Sequence, residues 1–337
     1  MKSETNLARN ILQTGAKSAY DAACKRLLAN KIILAWIMKS CMEEYRDCDV
    51  SDIVEKYIEG VPQVGTVGVH PDETNQTINS GNSISGMRNE DVTLTEGTVT
   101  YDIRFWAAAP VSGELLRLIV NVEAQGNFYP GYPLIKRGIY YCSRMISAQY
   151  ETEFSDSHYE KIKKVYSIWI CMNPPKVKRN SITRYAMKEE MLIGNGAEKP
   201  VNYDLLTVLM IYMGTPEDKN YSGVLKLLEV LLSSRMEAEE KKIVLREDFG
   251  ITMTSTMERE VSDMCNLSEV VERQGIEKGI EKGIEKGIVD ANLAAIRNLM
   301  EALKLTAEQA MEVLRIPDGE REKYISRLLE DDLGRGF

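Results

Sequence analysis

An α/β fold built on one central sheet is what the sequence predicts, on two observations. Residues 98–125 alternate apolar and polar side chains as half-buried strands do, and segments of helical periodicity lie before and after them, so strands and helices are mixed along the chain. With 337 residues, 44% of them hydrophobic and 28% charged, there is material for one sizeable core and an appendage.

The first element is a helical layer. Over residues 17–59, Leu27, Leu28, Ile32, Ile33, Trp36, Ile37 and Cys41 recur at helical spacing, and Ser51-Asp52 opens a second short helix carrying Ile53, Val54, Tyr57 and Ile58. From about 62 to 96 the composition turns to Gly, Asn, Ser, Thr and Pro, which predicts a long flexible insertion. Two strands follow. Tyr101, Ile103 and Phe105 alternate with Thr100, Asp102, Arg104 and Trp106, and Leu116, Leu118, Val120, Val122 and Ala124 alternate with Arg117, Ile119, Asn121, Glu123 and Gln125. Pro110-Val111-Ser112-Gly113-Glu114 supplies the turn of an antiparallel hairpin. Beyond it, 132–150 reads as a helix, 165–172 as a buried strand, 203–213 as strand or helix, and 222–239 as a helix with Leu225, Leu227, Leu228, Val230, Leu231 and Leu232.

The tail differs in kind. A Gly-Ile-Glu-Lys tetrad sets Ile276, Ile280, Ile284 and Ile288 four apart. As a helix it would carry one isoleucine stripe, yet each interior glycine costs about 1 kcal/mol against alanine, and Glu277, Glu281 and Glu285 place like charges at i,i+4. Either a partner lies along the stripe, which predicts a homo-oligomer, or the repeat is a linker. Two or three helices follow, one opened by Thr306 and Gln309 at capping-box spacing, with a break at Ile316-Pro317-Asp318-Gly319. The expected organisation is a main domain over 1–240, a helical linker over 241–272, and the repeat with a small helical tail over 273–337.

A formal net charge of −9 argues against a protein that coats nucleic acid by bulk charge, because phosphate binding rests on Lys and Arg. Contact with DNA would need a local basic patch. The N-terminus has no apolar signal core, and the longest apolar runs (32–38 and 205–213) are too short to span a bilayer, so a cytoplasmic protein with no membrane partner is expected. Cysteines at 24, 41, 48, 142, 171 and 265 form no Cys-x-x-Cys pair, and His70 and His158 are the only histidines. That pattern predicts free thiols rather than a zinc site or a disulfide framework.

The hairpin carries the chemistry. If Ser112 and Gly113 straddle the turn, Ile103 faces Val122, Phe105 faces Val120, and Asp102 faces Glu123. Facing carboxylates repel unless something lies between them. A hard divalent cation suits the place, since Mg2+ takes one or two carboxylates plus waters and substrate phosphate and can activate an attacking water. Gln125, on the same face, would point at that water or phosphate. The competing reading is a solvated polar face in which Asp102 and Glu123 pair with Arg104 or Arg117.

Asp102 on one strand and Glu123-Ala124-Gln125 on the next resemble the signature of PD-(D/E)XK nucleases. More narrowly, Tyr101-Asp102-Ile103, Asn121-Val122-Glu123-Ala124-Gln125, the run from Arg137 to Arg144, the Gly-Ile-Glu-Lys tail and Asp21-Ala22-Ala23-Cys24-Lys25 resemble the recombination-promoting nuclease and transposase family. The likeness covers roughly residues 15–290 and is strongest from 98 to 172. It implies a restriction-endonuclease-like central mixed sheet flanked by helices, and a Mg2+-dependent endodeoxyribonuclease of low sequence preference linked to recombination or mobile elements. It further implies Asp102 and Glu123 as metal ligands, and Gln125 in the place of the catalytic lysine. Gln can orient a water but brings no positive charge to the transition state, so a catalytically weak module that binds DNA or protein is the alternative.

Lys136, Arg137, Tyr140 and Arg144, with Tyr141, mark one helix as a phosphate-contact strip; equally, its tyrosines pack on the sheet and its arginines pair locally. Asp21, Glu43 and Glu44 are either an extra acidic ligand or solvated helix charges.

Overall fold

The computed structural model describes residues 6–65, 90–93, 97–111, 114–233 and 235–334. Most of the expected insertion, and the Ser112-Gly113 turn, lie outside the described residues. The chain divides into two units, Met1–Val271 and Glu272–Phe337.

In the first unit, α1 (Asn6–Leu28) and α2 (Lys31–Cys41) form the predicted helical layer, broken at Asn30, whose side chain caps α2 by accepting from the Ile32 N–H. A single turn, α3 (Val50–Asp52), leads through a wider turn (Ile53–Tyr57) into β1 (Ile58–Val64). A separate two-stranded ribbon pairs β2 (Glu90–Thr93) with β3 (Gly97–Thr100). The hairpin strands are β4 (Ile103–Val111) and β5 (Glu114–Gln125), followed by α4 (Leu134–Ser147), β6 (Val165–Cys171), β7 (Ser181–Ala186), α5 (Pro200–Tyr203) and β8 (Leu206–Tyr212). Three helices complete the order to 303: α6 (Gly223–Leu232), α7 (Ala238–Phe249) and α8 (Ser255–Leu303).

Among the described residues the main sheet has six strands in the order β1-β4-β5-β6-β8-β7, mixed in sense: β5, β6 and β8 run parallel and the outer pairings are antiparallel. The expected α/β class and central mixed sheet are therefore present. The hairpin register is the predicted one, with Ile103 opposite Val122 and Phe105 opposite Val120. The apolar segment left open between helix and strand is the parallel strand β8, buried on both faces as a central strand must be.

Alternation along the parallel strands splits the core in two. Tyr166, Ile168 and Ile170 point to one face with Phe105, Val120 and Val122, under α1, α2, α6 and α7. Val165, Trp169 and Cys171 point to the other with Val208 and Met210, under α4. Gly138 lets α4 sit close: a Cβ there would come 2.6 Å from Val208 Cγ1 and 3.1 Å from Trp169 Nε1. Residues 241–271 depart from the expected linker. Leu245, Phe249, Ile251, Met257, Val261 and Met264 are buried in the first core, so this segment completes the domain. Strands β1 and β7, at the sheet's two edges, were not expected from the sequence.

The second unit has its own small core of Val289, Leu293, Ile296, Ala310, Met311, Ile316, Tyr324 and Leu328. Its helices α9 (Ala307–Val313) and α10 (Asp318–Gly334) flank the predicted break, and Thr306 and Gln309 form the predicted capping box. The repeat is helical, with Ile276, Ile280, Ile284 and Ile288 each more than half exposed.

All six cysteines are free. Burial pushes the Cys142 and Cys171 thiols up to about 12, as expected for inert packing residues. Among the described residues no helix is long and apolar enough to cross a membrane.

Candidate active site

The carboxylates of Asp102 and Glu123 meet just past the end of the β4–β5 ladder. Rather than continuing as a simple facing pair, each side chain accepts a hydrogen bond from the opposite strand's backbone. The Asp102 N–H donates to Glu123 Oε1 at 3.1 Å, and the Ala124 N–H donates to Asp102 Oδ2 at 3.0 Å. Asp102 is 6% exposed and Glu123 3%. These are two carboxylates withdrawn from water in one place, an arrangement that an ordinary solvated face does not produce.

One cation reaches them directly. Lys25, on α1, places its ammonium 2.8 Å from Asp102 Oδ1 and 3.0 Å from Asp21 Oδ2, and is itself 4% exposed. A second charge stands on the other face. Arg137, on α4, attracts Glu123 electrostatically, while its guanidinium donates to the hydroxyls of Tyr141 (2.6 Å) and Tyr132 (3.4 Å) and lies over the Trp169 ring. The site therefore lies where a lysine from one helical layer and an arginine from the other converge on the sheet's end.

The charge balance explains the titration behaviour. Burial pushes the Glu123 carboxyl well above its ordinary value, and the neighbouring Asp102 charge pushes the same way. Burial raises Asp102 too, against the pull of Lys25. For Lys25, burial alone would depress the ammonium, but the charges of Asp102 and then Asp21 outweigh it and hold it above its ordinary value.

The three acidic residues proposed as extra ligands separate cleanly. Asp21 joins the site through Lys25. Glu43 pairs with Arg184, and Glu44 accepts from Tyr166 and Lys164 near the start of β6, the opposite end of that strand from Glu123's neighbours. Gln125 is turned to its own loop, donating from Nε2 to the Asn127 carbonyl at 2.5 Å. The competing pairing of Asp102 with Arg104 is not what forms: Asp102's ion-pair partner is Lys25, and the Arg104 guanidinium lies over the Tyr101 ring.

The four-residue strip on α4 is not one open face. Lys136 is exposed and Tyr140 is 46% exposed, but Arg137 is half-buried toward Glu123, and Arg144 is 4% exposed, donating to the Tyr140 hydroxyl at 3.3 Å. The amphipathic packing of α4 turns Arg144 inward, so it is withdrawn as a surface phosphate contact. The residue the sequence reading did not assign to the site is Lys25. Its signal was present: Asp21 and Lys25 stand at i,i+4 on a helix whose neighbours Ala23, Cys24, Leu27 and Leu28 are core residues.

No family model matches the chain. Neither a curated protein nor a solved structure matches it either. The nuclease resemblance accordingly rests on the residues quoted for it.

Asp102 and Glu123 fit a hard divalent cation. An ionised carboxyl offers about four acceptor positions; the protein's own contacts use both oxygens of Asp102 and Oε1 of Glu123. Among the described residues no cluster of three or more His, Cys, Asp or Glu is placed to hold a metal. Two carboxylates with water and substrate oxygens completing the shell is the Mg2+ pattern, and the donor set has neither the nitrogen nor the sulfur of a zinc site.

Proposed function

We propose that the chain is a Mg2+-dependent DNA endonuclease that hydrolyses phosphodiester bonds with little sequence preference, using Asp102 and Glu123 to hold the ion. The observation that carries this reading is the buried Asp102–Glu123 pair, two carboxyl side chains held side by side, each by a backbone N–H of the opposite strand. When bound, the ion would supply Lewis-acid activation of the phosphoryl group and of water. The protein's own residues supply the rest. The backbone N–H groups of Asp102 and Ala124 fix the carboxylate directions, Lys25 pairs with Asp102, and exposed Lys136 and Tyr140 are the α4 side chains available to a phosphate backbone. Mg2+-dependent nicking of supercoiled plasmid by the parent, lost in Asp102→Ala and Glu123→Ala, is the expected result. Equal cutting by all three proteins would remove the assigned site.

The second reading is an inert nuclease-like module that binds DNA or protein. It is favoured by Gln125, which is engaged with Asn127 rather than directed at the carboxylates. Calorimetry with MgCl2 separates the two, since the inert reading expects no heat that depends on Asp102 and Glu123.

We also propose that the exposed isoleucine stripe pairs with a second copy of the chain. Ile280→Asp with Ile284→Asp should lower the subunit count in light scattering, and an unchanged count would refute the pairing.

A further inference from the structure

We infer that Lys25 supplies, from α1, the positive charge that Gln125 cannot supply from β5. The inference rests on the nuclease reading above and adds to it the residue that completes the site. Hydrolysis of a phosphodiester adds water across the P–O bond. The hydroxide part bonds to phosphorus, the ester P–O bond breaks, and the remaining proton ends on the departing oxygen. In between, the phosphoryl oxygens carry additional negative charge, and a fixed cation nearby is worth most when water is excluded. Position 125 holds an uncharged amide turned to the Asn127 carbonyl. Arg137 is committed to the Tyr141 and Tyr132 hydroxyls and to an aromatic face.

Lys25 is different on each count. It is 4% exposed, its ammonium touches Asp102 at 2.8 Å, and Asp21, one helical turn earlier, grips it from behind at 3.0 Å. A lysine seldom gives up its hydration and side-chain freedom without a partner. Here it does so where carboxylates are in excess: Asp21, Asp102 and Glu123 against a single ammonium in contact. The arrangement fixes a protonated lysine beside the would-be ion, on a rigid helix, while Asp21 keeps it from swinging away. Lys25 is a positioning residue in this scheme. It holds Asp102 in place and offsets charge at the reacting phosphate.

The test uses the full chain, supercoiled plasmid and MgCl2. Lys25→Met should lower the nicking rate about 10²–10³-fold, the usual loss when one charge-stabilising group is removed. It should also bind Mg2+ at least as tightly as the parent by calorimetry, because the ammonium competing for Asp102 Oδ1 has gone. Lys25→Met with Gln125→Lys should recover at least about tenfold of the lost rate, since the charge then returns from the strand. A lysine that merely supports the fold would lose Mg2+ binding and gain nothing from Gln125→Lys, and that result overturns the inference. So does a Lys25→Met protein that nicks like the parent while Asp102→Ala is dead, an outcome that leaves the nuclease reading standing. If Asp102→Ala nicks like the parent, the nuclease reading falls and the inference with it. Should Lys25→Met not fold, Lys25→Gln keeps a donor for Asp102 without the charge and is read by the same outcomes.

Discussion

Two clusters of nearly the same composition sit at different ends of one sheet, and their contrast shows what sets the proposed active site apart from an ordinary ion-pair cluster. In the first, Lys25 bridges Asp21 and Asp102, with Glu123 alongside. In the second, Lys164 bridges Glu44 (3.1 Å) and Asp204 (2.6 Å), and Tyr166 donates its hydroxyl to both oxygens of Glu44. Each is a lysine held between two acids. In the second, the acids have a cation and a hydroxyl and each side chain keeps 15–18% of its surface in water, though Asp204 Oδ1 is buried without a hydrogen bond. The first carries a third carboxylate, Glu123, buried and raised in pKa, that the lysine does not touch. A deeply buried carboxyl out of reach of the cluster's cation, rather than the presence of acids, is what sets the first cluster apart.

The largest effect should separate the clusters by activity. Asp102→Ala or Glu123→Ala is expected to reduce Mg2+-dependent plasmid nicking by at least about 10³-fold, since a catalytic ion contributes several kcal/mol of transition-state stabilisation. Glu44→Ala should leave the nicking rate of the folded protein unchanged. A large loss in Glu44→Ala protein that melts normally would erase the distinction between the two ends.

Stability should reverse that order. Removing Glu44 strands the Tyr166 hydroxyl and one side of Lys164 in a largely buried place, a loss of about 1–3 kcal/mol. Chemical denaturation would show it as a lower midpoint at unchanged slope.

How much of this was legible in the sequence depends on the range of the interaction. The hairpin register followed from alternation because a one-residue slip would have turned Glu123 into the core with Ile103 and Phe105, and that is local information. The capping box at Thr306 and Gln309 was local too. Strand β7 was hidden because it is a short edge whose residues are mostly exposed, so Ser181–Ala186 carries little apolar pattern. The burial of 241–271 was hidden because Leu245, Phe249 and Met257 gain meaning only when α7 and α8 fold back on the first core. Lys25 was hidden for the same reason. A lysine on a helix reads as solvated until a strand some eighty positions later brings Asp102 to it. Arg144 erred in the opposite direction, since helical spacing gives a face but not which way that face turns.

A gain in stability should come from the Asp102–Glu123 cluster. Glu123 has an ordinary value of 4.5 and is raised in the folded state, so the native protein holds this proton more tightly than the unfolded chain. Its ionisation therefore costs nothing below the ordinary value, begins to cost as pH rises past it, and costs fully above the raised folded value. Glu123→Gln removes that cost while keeping an oxygen for the Asp102 N–H. In EDTA at neutral pH its midpoint should exceed the parent's by about 2–4 °C, the equivalent of roughly 1 kcal/mol, with the gap closing toward pH 4. Added MgCl2 should raise the parent's midpoint and not the variant's. A parent that is the more stable of the two at neutral pH in EDTA would show that Glu123 is not strained by its neighbours.

The smallest expected effect falls on Gln125, which sets the strand's own third position against the lysine from α1. Its amide donates to the Asn127 carbonyl, within the loop that follows β5, and is partly exposed. Truncation to alanine removes one neutral hydrogen bond near the surface, about 1 kcal/mol or less of local order, and takes no charge from the carboxylates. Gln125→Ala should therefore nick plasmid within about threefold of the parent, because a change of 1.36 kcal/mol in barrier is only tenfold in rate and this side chain contributes a fraction of that. A fall as deep as that of Asp102→Ala would mean that the amide swings from Asn127 to the reacting phosphate when DNA binds. Lys25 and Gln125 would then share the third position rather than one replacing the other.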